Sequence, residues 1–141
     1  MKIYLIGSLR NPTVPELGNE LRLLGYDVFD DWYAAGEIAD DSWRDYEKGR
    51  GHNFQQALNG YAAHHVFDFD IYHLNQSDIG ILLLPAGKSG HMELGYLIGR
   101  ARPCYIVYTE EPARFDVMYL MADKVFASTK ELLDHLKGLD K

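Results

Sequence analysis

The seven residues "DIGILLL", 78–84, constrain the fold more than any other stretch of this chain. After Asp78 the run is apolar on both of its alternating faces. A strand of that kind must be covered on both sides, which is the condition at the centre of a parallel sheet. "KIYLIG" (2–7) is a second buried strand bounded by Gly7, and Val14, Leu17, Leu21 and Leu24 follow at helical spacing up to Gly25. "YDVFD" (26–30), residues 103–108 and a short stretch near 124–127 supply three more strands. Helices are predicted over 53–64 (Phe54, Ala57, Leu58, Tyr61), 66–76, 90–101 and 128–138. Residues 31–52, polar and rich in Asp and Gly, read as a loop with a helical turn near 43–47. Strands and helices alternating over short connections imply α/β architecture. The expectation is a single domain over 1–141 with a five-stranded parallel sheet, flavodoxin-like or Rossmann-like order 2-1-3-4-5, and helices on both faces. The segment 31–65 exceeds what such a fold needs and is a lid candidate.

A chain of 141 residues can bury a core without disulfides or metal. Its net charge is −7 and no cluster of Lys and Arg stands out, which argues against DNA or RNA as a partner but not against one small phosphate. Cys104 is the only cysteine, so no disulfide forms within the chain, and a reducing cytoplasm is the expected location. "MKIYLIGSLR" starts a strand at once rather than a signal peptide, and no stretch is long enough to span a membrane. His64 and His65 adjoin on a helix, and His52, His73 and His91 lack ligand spacing, so neither metal nor cofactor is expected. The 13% aromatic content serves either packing or a site that stacks flat rings.

In the order 2-1-3-4-5 the first and third strands are neighbours. The loops after them, "GSLRNP" and "PAGKSG", then converge at the carboxyl edge where open α/β sheets bind ligands. The second loop contains "GKS", the tail of a P-loop. The full G-x-x-x-x-G-K-[ST] pattern would place glycine at position 82, which is Leu82, and the strand runs straight to Pro85. The pattern therefore argues against a nucleoside-triphosphate cradle. A weaker anion site remains, with Gly87, Ser89 and Gly90 ahead of a helix and Gly7, Ser8 and Arg10 facing them. Capping of the helix by Ser89 and Gly90 stays open beside it.

Two carboxylates stand out. Glu93 is expected in the first turn of its helix, where the dipole alone favours an acid by roughly 0.3–1 kcal/mol. Its place at the crevice, on a helix that Gly95 and Gly99 would let approach its neighbours, suggests a chemical role. Asp70 shares a helical stripe with Phe67, Ile71 and Leu74, the side expected to face inward, and a carboxylate there needs a partner or a site. Two carboxylates at one pocket can divide labour as nucleophile and acid/base.

With these residues in place, the chain resembles the nucleoside 2-deoxyribosyltransferase family and its nucleotide N-hydrolase relatives. The likeness rests on "IYLIGSLRN", "FDFDIYHLNQSDIGILLL" and "GHMELGYLIGRARPCYIV", and covers most of the chain. It implies that Glu93 is a nucleophile attacking the anomeric carbon of a deoxyribose. It implies that Asp70 orients the sugar and assists proton transfer, and that Ser8 and Arg10 contact substrate. The substrate would be a nucleoside or nucleoside monophosphate with a free nucleobase as acceptor, and Trp32 or Tyr33 would stack on the base. A homo-oligomer is implied too, with Met118 and Tyr119 completing a neighbouring subunit's site. The loop "PAGKSGHM" lacks the Asp that transferases often carry before the nucleophile. "GSLRN" resembles the "GSIRGG"-type loop of monophosphate N-hydrolases, and Lys88 and Ser89 are further phosphate donors.

Overall fold

The computed structural model describes residues 1–139. Five parallel strands, β1 (Lys2–Ile6), β2 (Asp27–Phe29), β3 (Ile79–Leu83), β4 (Cys104–Val107) and β5 (Lys124–Phe126), form one sheet in the order β2-β1-β3-β4-β5. This is the predicted order. Every residue of β3 is buried, as its unbroken apolar run requires.

Strand periodicity divides the core into two layers. Ile3, Leu5, Ile79, Ile81 and Leu83 face α1 (Thr13–Leu23) and α6 (Thr129–Lys137), meeting Val14, Leu17, Leu21, Leu132 and Leu136. Tyr4, Ile6, Leu82 and Ile106 face the other way, toward Leu74 of α4 (Tyr61–Asn75) and Leu94 and Leu97 of α5 (Lys88–Gly99). Registers such as Leu5 beside Ile81 and Ile6 beside Leu82 set β1 and β3 level at their carboxyl ends. Among the described residues, no helix is long and apolar enough to cross a membrane.

Two segments differ from the sequence expectation. Residues 31–52 hold a 3-10 turn (Asp31–Ala35) and a full helix, α2 (Ala39–Gly49), rather than a loop with one helical turn. In α2 only Glu47 is buried, so no apolar stripe announces the helix. Asp40 and Asp41 in its first turn and Lys48 in its last match the helix dipole instead. The predicted helix over 53–64 is broken: α3 (Phe54–Leu58) is opened by a capping box between Asn53 and Gln56, and Asn59 ends it. Extended Gly60 then starts α4, which runs unbroken through the predicted 66–76 helix.

Gly18 on α1 shows how tightly β2 is fastened. A Cβ there would stand 2.1 Å from Asp30 Oδ2, and buried Asp30 is held by the Arg22 guanidinium. Alanine in a helix interior normally gains about 1 kcal/mol over glycine. Displacing Asp30 from its ion pair outweighs that, so Gly18→Ala is expected to lose about 1–3 kcal/mol net by urea denaturation.

Candidate active site

Glu93 sits in the second turn of α5, not the first, because the helix begins two residues earlier than predicted. The helix-dipole explanation therefore lapses, since it acts within the first turn. The cap is Gly87, which makes no side-chain capping bond. Ser89 and Gly90 lie inside the helix and do not cap it. The close approach comes from Gly90, whose Cβ would meet Ile6 Cγ2 at 3.0 Å and Leu82 Cδ1 at 3.4 Å. Gly95 and Gly99, expected to supply it, face open space.

Packing α5 this closely onto β1 brings Glu93 over Tyr4. The Tyr4 hydroxyl donates to Glu93 Oε2 at 2.6 Å, a short bond of the kind a carboxylate acceptor gives. Tyr4 is 1% exposed and leans on Phe29, with ring centroids 5.0 Å apart. Burial pushes the Glu93 carboxyl from 4.5 up to about 7; the Tyr4 hydrogen bond opposes this, and the Asp70 charge adds to it. Burial also drives the Tyr4 phenol far above its ordinary range, followed by the charges of Glu93 and Asp70. Its proton therefore stays in place, and Tyr4 acts as donor.

Asp70, on α4, has its carboxyl raised by burial. Its charge acts on both Tyr4 and Glu93, so the three groups form one electrostatic cluster. The inward stripe of α4 is narrower than predicted: Leu74 is buried, whereas Phe67 is 60% exposed. Asp70 is nonetheless half-buried at the wall of the site.

Tyr4 escaped the sequence reading. The available signal was a lone phenol in an otherwise aliphatic strand, "KIYLI", because a buried hydroxyl requires a partner.

The loop after β1 is shaped by its own side chains. Ser8 Oγ accepts the Arg10 N–H at 3.1 Å, and Asn11 Oδ1 accepts the Thr13 N–H at 3.0 Å. Gly7 is needed for packing, since a Cβ there would lie 2.9 Å from Val14 Cγ2. Arg10 reaches across to Asp41 of α2 at 3.8 Å, linking this loop to the 31–65 segment. Trp32 donates its indole N–H to the Leu5 carbonyl at 2.8 Å, which fixes the ring beside Gly7. Lys88 and Ser89 are exposed at the opening of α5. Met118 is 61% exposed on the 3-10 turn Val117–Met121, whereas the Tyr119 hydroxyl is engaged by His91 of its own chain.

No known family model matches the sequence, and no curated protein matches it. Solved structures do. A 2-deoxyribosyltransferase from Bacillus psychrosaccharolyticus superposes with a TM-score of 0.63 at 17% identity, covering 99% of this chain and 93% of that one. A conserved protein from Enterococcus faecalis gives 0.67 at 16% identity, over 97% of each chain. The CMP N-glycosidase BcmB from Clostridium botulinum gives 0.57 at 12% identity, over 96% and 98%. The chain thus shares its fold, over nearly its whole length, with a 2-deoxyribosyltransferase and a CMP N-glycosidase.

Proposed function

We propose that this protein is an enzyme that cleaves the N-glycosidic bond of 2'-deoxynucleosides and transfers the deoxyribose to another nucleobase. The observation that carries the reading is the half-buried Glu93 carboxyl under the Tyr4 hydroxyl, with Asp70 beside them. A Glu93 oxygen attacks the anomeric carbon as the bond to the base breaks, and the bonding pair leaves with the base. Asp70, whose raised pKa favours carrying a proton, protonates the departing base. An incoming base then attacks the glycosyl ester from the opposite side, Asp70 takes its proton, and the Glu93 carboxylate is released. Two inversions give net retention. Ser8, Gly87, Ser89 and Gly90 border the sugar, and Trp32 lies at the wall expected to meet the base.

A second reading, hydrolysis of a deoxynucleoside 5'-monophosphate, draws support from the charged rim. Arg10 and Lys88 are both exposed at the two loop ends, and α5 opens at Gly87 without a side-chain cap. In either case a second copy of this chain is the expected partner. Val117, Met118, Leu120 and Met121 are 56–86% exposed on one short turn, an apolar surface typical of association sites.

Incubation with deoxynucleosides or their monophosphates, with and without an acceptor base, separates the readings by chromatography. Exchanged nucleoside supports transfer, and free base from the monophosphate alone supports hydrolysis. Tight binding without turnover of either would make the protein a non-catalytic nucleotide sensor and overturn both. Turnover per chain is expected to fall on dilution as the oligomer dissociates.

A further inference from the structure

His91 stands on α5 two residues before Glu93, and both of its ring nitrogens are occupied. Nδ1 lies 2.8 Å from the Gly87 carbonyl oxygen, and Nε2 lies 2.8 Å from the Tyr119 hydroxyl. A carbonyl can only accept, so Nδ1 carries a proton and donates to Gly87, while Nε2 pairs with the Tyr119 hydroxyl, which can either donate or accept. The two rings lie nearly parallel, 22° apart, with centroids separated by 5.7 Å. The same Gly87 carbonyl also accepts the backbone N–H of His91 at 3.3 Å. His91 therefore fastens, from inside the helix, the uncapped junction that opens α5.

Tyr119 belongs to a different part of the chain, the turn Val117–Met121 between β4 and β5. It packs partly buried against the core layer that contains Leu94 and Leu97, while Met118 and Leu120 on either side are 61% and 86% exposed. One imidazole thus spans two surfaces. Its inner bond holds the loop end that borders the candidate sugar site, and its outer bond holds the turn that points Met118 outward. Asp116 caps the start of this turn by accepting the Met118 N–H at 2.9 Å, so the turn is held at its start and at its middle.

We propose that His91 is a positioning residue. Through Gly87 and Tyr119 it sets the loop–helix junction and the outward turn as one unit, so that substrate binding and presentation of Met118 depend on the same side chain. The kinetic consequence rests on the reading of Glu93 as nucleophile; the mechanical coupling does not.

Amide hydrogen exchange tests the coupling without reference to activity. His91→Phe keeps a flat ring but loses both bonds, and Tyr119→Phe loses only the outer one. Both are expected to speed exchange across 116–121 by about tenfold, the size of one lost hydrogen bond. The double variant should be no faster than His91→Phe, because the two residues act through one bond. In the turnover assay, His91→Phe should raise KM by about tenfold, with the larger share of the loss in KM rather than kcat. Unchanged exchange at 116–121 in Tyr119→Phe, which keeps the fold even if His91→Phe does not, overturns the proposal. An active His91→Phe enzyme with unaltered KM overturns it as well. If the wild-type chain turns over no nucleoside, the Glu93 reading fails alone, and the exchange experiment still decides the role of His91.

Discussion

Glu93→Gln is expected to lower base release by at least about a thousandfold, equivalent to roughly 4 kcal/mol of lost transition-state stabilisation, while the fold survives. The amide keeps the shape of the carboxyl and can still accept from Tyr4, but it cannot form the glycosyl ester. Residual activity well above a thousandth would remove Glu93 from the nucleophile's role. Stability offers a control that runs in the opposite direction. The folded-state carboxyl is raised from 4.5 to about 7, so between these values the native state holds a proton that the unfolded chain has lost. Stability contributed by the neutral, buried form is full below about 4.5 and declines as pH rises toward 7. Glutamine has no such titration. Glu93→Gln should therefore be the more stable protein above pH 7, by on the order of 3 kcal/mol, and no more stable near pH 4. Thermal melts at the two pH values check the sign. A variant that is inactive yet more stable cannot owe its inactivity to unfolding.

How far the sequence reaches can be judged from particular elements. Strands and their order were legible because "DIGILLL" and "KIYLI" leave no polar face, and parallel connections admit few topologies. α2 was not legible: it buries only Glu47, and helical periodicity is a signal of burial. The break at Asn59 and Gly60 was hidden for a related reason, since Phe54 and Tyr61, which fall on one face at helical spacing, are both largely exposed. At the site, Asp70 and Glu93 stood out as carboxylates in unusual surroundings, and the structure joins them in one cluster with a third member. Tyr4 was missed because a single strand does not reveal which helix covers it. Only the packing of Gly90 against Ile6 and Leu82 brings Glu93 over that strand. His91 was weighed only as a metal ligand, whereas its partners are a carbonyl four residues back and a hydroxyl 28 residues on.

Tyr4→Phe should change how the rate depends on pH more than it changes the highest rate. In the native protein kcat/KM is expected to rise through about pH 7, because the attacking Glu93 must be ionised and its carboxyl titrates there. The Tyr4 hydroxyl donates to that carboxylate and favours the charged form, opposing the larger effect of burial. Phenylalanine removes the donor and leaves the burial, so the carboxyl moves further up and the acidic limb of the profile shifts to higher pH. A hydrogen bond to a charged group contributes about 1.5–3 kcal/mol, so kcat/KM near pH 6 should fall by roughly 10–100-fold. Near pH 9, where at least about half of Glu93 is ionised even in the variant, the gap should shrink to a few-fold. The Tyr4 side chain also packs on Phe29, a contact that phenylalanine retains, so a uniform loss from misplacement is not expected. An equal fall at every pH would mean that Tyr4 orients Glu93 without setting its charge. The cluster would then be a geometric device, and the proton balance of the site would rest on Asp70.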